Sequence, residues 1–352
     1  MFSRAAITRI VTFITSLLFC FVFPVGQASG DDAIFGVSYK TYDTTYEAIL
    51  NMYLKVIPVQ CREQSWGRHD LYNELMYYDL SPYYMEGIMT PEYDRMDDKG
   101  KAAKIKELQE KTIQYMKNKV GYAIQDINGD GIQELIIGRD KSYIYELFTM
   151  EDGKVRELIR SGARYTCNLL KNGGLFRYDR DGGAMYGYIL FHMNGTGRVE
   201  FDKGYYYNGD LGYYLSEDVD CWFRITNAKH FSANTMEDHV PGSEAKAWIS
   251  ECESSFANIH FIPLSAFEKG MSGDGIAILS VNGKTSGSQK VRIRTKPDKK
   301  SKILMQKKVG TYVKAVGTDG EYYQIIINKK TGYVHKDYLT IITELPAVPT
   351  AE

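Results

Sequence analysis

Side chains that carry oxygen recur at alternate positions in one short segment of this chain. Asp126, Asn128 and Asp130 hold its first, third and fifth positions, Gly131 follows, and Glu134 is the ninth. Ca²⁺ takes six to eight oxygen ligands, which a loop can supply from alternate residues. Gly131 gives the backbone the freedom that a tight loop requires. We therefore predict a structural calcium site whose ligands are Asp126, Asn128, Asp130, the Ile132 carbonyl and Glu134.

The same segment also allows a turn without a metal, because Asn, Asp and Gly favour turns on their own. The twelfth position is Ile137, which cannot ligate a cation, so the segment is not an EF-hand loop. Calcium is favoured because three carboxylates in one turn repel each other unless a cation lies between them. The segment resembles the calcium loops that join strands in many exported bacterial proteins. The longer segment Ile124–Ile159 resembles uncharacterised exported proteins of Gram-positive bacteria.

No arrangement of catalytic residues stands out, and we predict none. Cys61 with His192 or His230 would make a cysteine–histidine pair, but no local motif of a cysteine peptidase surrounds them. The histidines are scattered without the spacing of a zinc site. Glu217 and Asp220 are candidate carboxylates only in the sense that any acidic domain supplies a pair. The sequence leaves open whether the protein is an enzyme.

Hydrophobic periodicity predicts the elements that carry these residues. Apolar residues spaced by three and four predict helices from Thr44 to Ile57, from about Lys101 to Lys119, and from about Ser243 to Ser255. From Tyr122 the period changes to two, and Asn-Gly and Asp-Gly turns separate the segments, which indicates an antiparallel meander. Residues 268–274 have the composition of a linker.

The segment that follows this linker has the order of landmarks of a known family. An alternating run, Val291–Arg294, leads into a Lys-Pro-Asp turn, and Gly310–Val313, Tyr322–Ile325 and Thr331–His335 follow in order. This order resembles the bacterial SH3 (SH3b) domain. The resemblance implies a small all-β barrel over 275–341 that binds cell-wall material or another protein and performs no chemistry. The residues that it places at the ligand site are Tyr322, Tyr323, Tyr333 and Tyr338, of which we expect at least two to be core residues.

Charge separates this segment from the rest of the chain. Residues 290–340 contain thirteen Lys and Arg against four Asp and Glu, a net charge of +9. The whole chain carries −1, so the remainder carries −10. A basic module is attracted to polyanions such as teichoic acids or wall carboxylates, although lysines in loops are also often only solvated. Nucleic acid is not expected as a partner.

The first thirty residues have the three-part pattern of a secretory signal peptide. A basic start with Arg4 and Arg9 precedes an apolar run, Ile10–Phe23, and small residues near Ala28 suit cleavage. An uncleaved anchor is the alternative, and no integral membrane span is expected after cleavage. Outside the cell, an even number of cysteines permits disulfides in three possible pairings, and we expect at least one. The four are Cys61, Cys167, Cys221 and Cys252.

These inferences combine into one prediction of fold and function. The chain is an α+β protein, with helices and an antiparallel meander sheet followed by a small all-β SH3-like barrel. Its predicted parts are a signal peptide (1–30), an α+β body (31–270) with the calcium-type loop (126–134), the SH3b-like barrel (275–341) and a disordered tail (342–352). We expect a secreted, non-enzymatic binding protein of the bacterial cell envelope, stabilised by calcium. The alternatives are a cell-wall hydrolase with an unrecognised catalytic body and a secreted protein whose barrel docks on another protein.

Overall fold

The computed structural model describes residues 40–63, 88–162, 165–180, 185–209, 221–225 and 236–343. The predicted signal peptide lies outside these residues, as does the predicted tail apart from Ile342 and Thr343. In the described part, no helix is long and apolar enough to cross a lipid bilayer. The α-helices with described bounds are α1 (Tyr46–Glu63), α2 (Pro91–Asp94), α3 (Asp98–Lys119), α4 (Gly242–Ser254) and α5 (Leu264–Phe267).

The three helices predicted from apolar spacing are confirmed as α1, α3 and α4. In α1 the apolar positions Ile49, Leu50, Tyr53 and Ile57 are all buried, so one face of the helix meets the core. Helix α3 begins a few residues earlier than predicted. Its start is fixed by a cap, because the Asp97 carboxylate accepts a hydrogen bond of 2.7 Å from the Gly100 N–H.

Among the described residues before 264, twelve strands form one antiparallel sheet, which we call the first sheet. One of the predicted Asp-Gly turns, Asp152-Gly153, is confirmed as the turn that joins β4 and β5. The strands are β1 (Thr41–Tyr42), β2 (Gly121–Gln125), β3 (Glu134–Arg139), β4 (Tyr143–Glu151), β5 (Lys154–Arg160), β6 (Tyr165–Leu169), β7 (Leu175–Arg180), β8 (Met185–Met193), β9 (Val199–Asn208), β10 (Trp222–Ile225), β11 (Met236–Val240) and β12 (Ile262–Pro263).

The first sheet departs from a simple meander at β4, where it branches. The end of β4 pairs with β5, and β5 continues to β1. The start of β4 pairs instead with β6 through Tyr143 and Ile144, and β6 leads on to β11. A buried cluster joins Ala123 of β2 to Ile225 of β10, so the sheet curves round a core of its own. Helices α1, α3 and α5 cover β2–β5, while α4 covers Phe176 and Trp222 of β7 and β10.

The strands after residue 275 form a second antiparallel sheet of seven strands. A short 3-10 helix, Lys336–Tyr338, precedes the last strand. The core of this second sheet contains Ile293, Val313, Ile325 and Val334, each of them buried. We call residues 276–341 the SH3-type unit. Its strands are β13 (Ile276–Leu279), β14 (Lys290–Arg294), β15 (Ile303–Lys308), β16 (Tyr312–Asp319), β17 (Tyr322–Ile327), β18 (Lys330–His335) and β19 (Leu339–Ile341).

The prediction of a closed barrel for this unit is corrected to an open sheet. The strand order is β15-β14-β18-β17-β16-β13-β19, and the two outer strands, β15 and β19, are not paired with each other. Strand β19 has only three residues, and β15 carries Lys307 and Lys308. Short edge strands and edge lysines both discourage further strand pairing, which accounts for the open edges.

The segment predicted as a linker, residues 268–274, is mostly exposed, but contacts with the body anchor it and the strand that follows it. Ile276 of β13 is 1% exposed and belongs to the same cluster as the residues of α1, α3 and the first sheet, with Met271 and Tyr312 at its margin. The Tyr122 hydroxyl donates a hydrogen bond of 2.8 Å to the Met271 carbonyl. The His260 Nε2 lies 3.1 Å from the Tyr312 hydroxyl oxygen. The body and the SH3-type unit therefore share a core at this junction.

The expected disulfide is corrected, because the four cysteines are buried thiols. Cys61, Cys167 and Cys252 belong to three different core clusters, so each side chain is surrounded by different apolar neighbours. Burial raises the pKa of the Cys167 thiol to about 12, which keeps it protonated and unreactive. These cysteines act as small apolar core residues.

Candidate functional site

Strands β17 and β18 decide which of the four predicted ligand tyrosines face outward. Tyr322 pairs with His335, Tyr323 with Val334, and Gln324 with Tyr333. Residues paired across an antiparallel ladder lie on the same face, and faces alternate along each strand. Tyr322, Tyr333 and His335 therefore share one face.

Tyr323 lies on the opposite face, where it packs at the margin of the SH3-type core. All four tyrosines remain partly accessible, since Tyr322, Tyr323 and Tyr333 are half-buried and Tyr338 is 43% exposed. The structure thus brings Tyr322, Tyr333 and Tyr338 to the outer surface and separates Tyr323 from them. Successive side chains of β17 point to opposite faces of the sheet, which accounts for this separation.

Tyr322, His335 and Tyr338 form a contiguous group of rings, which we call the aromatic end. The ring centroids of Tyr322 and His335 are 5.1 Å apart at an interplanar angle of 90°. The His335 and Tyr338 centroids are 6.3 Å apart at 62°. The His335 ring also accepts a hydrogen bond from the Asp337 N–H and so caps the 3-10 helix that holds Tyr338. Such a surface offers ring faces and hydroxyls for contact with a sugar or a peptide.

The calcium-type loop is closed by its own hydrogen bonds. The Asp126 carboxylate accepts from the N–H groups of Gly129 and Gly131, at 2.7 and 2.9 Å. The hydrogen bond from Gly131 is the main cause that lowers the pKa of Asp126. Asp130 accepts from the Ile132 N–H and from the Asn128 amide. Gly129 and Gly131 adopt φ of 77° and 87°, a left-handed conformation that favours glycine.

Glu134, the ninth residue of the loop, is fully buried. Its carboxylate accepts hydrogen bonds from the Ile127 N–H at 3.0 Å and the Thr149 hydroxyl at 2.9 Å. Burial raises the pKa of Glu134 to about 7, and the charges of Asp130 and Asp126 act in the same direction. The loop therefore concentrates negative charge around a carboxylate that is poorly solvated.

In the conformation described, the loop does not present a ready metal site. Across the described ranges, no three side chains of Asp, Glu, His or Cys lie close enough together to hold a metal ion. The oxygens of Asp126, Asp130 and Glu134 are directed at N–H and O–H donors of the protein. A calcium ion would have to share these oxygens with their present donors.

Sequence reasoning missed a second cluster of charges, which lies between α1 and the first sheet. Glu146 and Glu157 are 0% and 1% exposed. The Arg160 guanidinium lies 2.9 Å from the Glu146 carboxylate and 2.7 Å from that of Glu157. The hydroxyls of Tyr53 and Tyr42 donate to Glu146 and Glu157, respectively. The signal in the sequence was a glutamate followed by apolar residues in each strand of the β4–β5 hairpin, Glu146-Leu147-Phe148 and Glu157-Leu158-Ile159.

This buried charge cluster does not have the access that a catalytic pair of carboxylates requires. Both acids are enclosed. Glu157 accepts hydrogen bonds from Arg160 and Tyr42, whereas Glu146 accepts one from Tyr53 and lies in ion-pair contact with Arg160. A cysteine–histidine pair is not assembled either. Cys61 lies on the buried face of α1, whereas the His192 Nδ1 lies 2.7 Å from the Asp202 carboxylate on β9. His230, Glu217 and Asp220 lie outside the described residues.

Comparison with known families identifies the second sheet. Residues 290–340 match the family model of the bacterial SH3 domain. The matched residues contain strands β14 to β18 and all of β19 except Ile341. No curated protein matches the chain. Bacterial SH3 domains generally bind cell-wall or protein ligands and are often extracellular or associated with the envelope. The C-terminal part of this chain therefore contains a domain of the bacterial SH3 type.

Proposed function

We propose that this protein is an exported, non-enzymatic binding protein of the bacterial cell envelope, in which the SH3-type unit binds a cell-wall or protein ligand. The observation that carries the proposal is the match to the bacterial SH3 domain over residues 290–340. The outward position of Tyr322, His335 and Tyr338 supports it, because these adjacent rings offer a surface for contact with a ligand. Secretion is supported by the signal-peptide pattern of residues 1–30.

We also propose that calcium stabilises the body through the loop from Asp126 to Glu134. Support comes from the alternating oxygen-bearing side chains and from the negative charge around the buried Glu134. A divalent cation would offset this repulsion. Its role would be structural, because the loop folds back on its own backbone.

The binding role is tested with the chain from residue 31 to residue 352, mixed with purified peptidoglycan and sedimented. Tyr338→Ala and Tyr322→Ala are expected to weaken binding roughly fivefold each, since an aromatic contact contributes about 1 kcal/mol. Tyr93→Ala, which removes a half-buried tyrosine of the body, is the matched control and should bind as the unchanged protein does.

Two outcomes of this experiment would overturn the proposal. Release of soluble muropeptides by the unchanged protein would establish the wall-hydrolase alternative. Equal binding by the Tyr338→Ala variant and the unchanged protein would remove the aromatic end as the ligand site. Absence of any sedimentation would favour docking on another protein.

A further inference from the structure

Two turns of the SH3-type unit lie at the same end of the second sheet. Strand β14 ends at Arg294, which pairs with Tyr333 near the beginning of β18. Because these strands are antiparallel, the β14–β15 turn (295–302) and the β17–β18 turn (328–329) project from one end. The strands approach closely there. A Cβ atom on Gly332 would lie 2.5 Å from a methyl carbon of Ile293 and 3.3 Å from the Arg294 carbonyl oxygen.

This end, which we call the lysine end, carries six exposed lysines, five of them in the two turns and one, Lys330, at the start of β18. The two turns contain one carboxylate, that of Asp298. In the part of the chain that the structure describes, no carboxylate lies within ion-pair distance of any of the six. Neighbouring ammonium groups without counter-charges repel each other, so the potential at this end favours an anion. The six are Lys296, Lys299, Lys300, Lys302, Lys329 and Lys330.

Hydrogen bonds fix the backbone that presents these lysines. The Thr295 N–H donates to the Lys302 carbonyl at 3.0 Å, and the Arg294 guanidinium donates to the Ser301 carbonyl at 2.6 Å. The Asp298 carboxylate accepts from the Lys300 N–H at 2.8 Å. In the other turn, Asn328 and Lys329 both have positive φ, as in a tight two-residue hairpin. Backbone held in place beforehand reduces the ordering cost of binding.

We propose that the lysine end is a second binding site of this protein, for a linear phosphodiester polymer of the envelope. Lysine ammonium groups act as point charges for phosphate, and the six are spread over two turns and the start of β18, which suits successive charges of a polymer better than one small anion. Neither turn contains an aromatic residue, so the site offers no stacking for nucleic-acid bases. The location at the envelope rests on the proposed function, but the site itself is separate from the aromatic end.

The distance between the two ends makes their tests independent. Tyr322 and His335 lie at one end of the β17–β18 hairpin, and Ile327 and Lys330 lie at the other. The intervening five residue steps correspond to about 17 Å. A polymer at the lysine end therefore leaves the rings free, and substitutions at one end do not remove contacts at the other.

The test is a titration of the chain from residue 31 to residue 352 with poly(glycerol phosphate) at several salt concentrations. The triple variant Lys299→Gln, Lys300→Gln and Lys329→Gln is expected to lose roughly tenfold or more in affinity, with a shallower salt dependence, since fewer counterions are released. This variant should sediment with peptidoglycan that lacks phosphate polymers to the same extent as the unchanged protein. Asp298→Asn keeps the turn acceptor, removes the only opposing charge in these turns, and should tighten binding.

A second triple variant removes the same charge elsewhere on the unit, with Lys290→Gln, Lys308→Gln and Lys336→Gln. It is expected to lose less than about threefold in affinity, from the reduced net charge alone. Equal losses in the two triple variants would overturn the proposal. The polymer would then be attracted by the net charge of the whole unit and not by the lysine end. Equally tight binding of polyglutamate of the same charge would overturn the preference for phosphate.

Discussion

Glu146 is a buried acid beside Glu157 and Arg160, and these surroundings give the protein a predictable pH dependence. Burial, and next the Glu157 carboxylate, raise the pKa of Glu146, while Arg160 opposes this change. The folded state therefore retains a proton that the unfolded chain has lost. A group with a raised pKa stabilises the fold below its ordinary value, about 4.3 for glutamate, and this contribution disappears as pH rises through neutral.

We expect the free energy of unfolding to fall by roughly 2 kcal/mol between about pH 5 and pH 8, measured by urea denaturation with a chelator present. Glu146→Gln cannot titrate and leaves Arg160 bonded to Glu157, so its profile should be shallower. The remaining slope belongs to Glu134, whose pKa is raised to about 7. Glu321→Gln, at an exposed position, is the control. A Glu146→Gln profile as steep as that of the unchanged protein would contradict this explanation.

Single residues were foreseen from the sequence where their chemistry is local. The loop from Asp126 to Glu134 could be found because its turn residues and spacing are consecutive. The bonds of Glu146 to Arg160 and Tyr53 could not, because they join residues from β4, β5 and α1. Whether each predicted ligand-site tyrosine of β17 and β18 faces the core or the solvent depends on the register of these two strands, so it could not be predicted either.

At the scale of elements, the loop between β2 and β3 makes the calcium proposal measurable. Extracellular calcium modules often bind with dissociation constants of about 10⁻⁴ M. About 10 mM calcium would then be a hundredfold excess and would stabilise the fold by about 2.7 kcal/mol. We expect the melting temperature to rise with calcium and to return on chelation.

The variants for this test are two matched replacements in hairpin turns. Asp130→Asn removes one charge from the loop and should abolish the calcium response. Asp152→Asn makes the same replacement in the β4–β5 turn, where φ is 51°, and should leave the response intact. No heat of binding and no change in melting temperature would show that the loop is a metal-free turn.

Elements with a regular apolar period were predictable, and their long-range partners were not. Helices α1, α3 and α4 follow from spacing that each sequence segment carries alone. The branch at β4 and the open edges of the second sheet depend on contacts between distant segments. A family resemblance suggested a closed barrel, but closure requires that the two outer strands meet, and short or lysine-bearing edges oppose this.

For the whole molecule, the shared core at the junction predicts that the body and the SH3-type unit unfold together. Ile276→Ala should lower the single calorimetric transition of the full chain by the equivalent of about 2–4 kcal/mol, because it leaves a cavity between the two parts. Ile325→Ala changes only the core of the SH3-type unit and should lower the same transition. A second transition that stays at its original temperature in Ile325→Ala would contradict this coupling.

The sequence did not predict the shared core at the junction, because residues 268–274 have the composition of a linker. Their contacts are made with α3 and β2, about 150 positions earlier in the chain. Division of the protein at residue 270 would expose Ile276 and Tyr312, which the body now covers. For this reason the binding experiments use point variants of one chain and not separated halves.

The position of β19 bears on the order in which the protein would fold during the proposed export. This last strand pairs with β13, the first strand of its sheet, and the Ile342 N–H donates to the Ile276 carbonyl. Ile342 also packs against the core of the body. A chain that emerges from a translocation channel with its N-terminus first cannot complete either core until residues 339–342 have passed. Until then β13 has an open side, and the nascent protein is exposed to proteases and to mispairing.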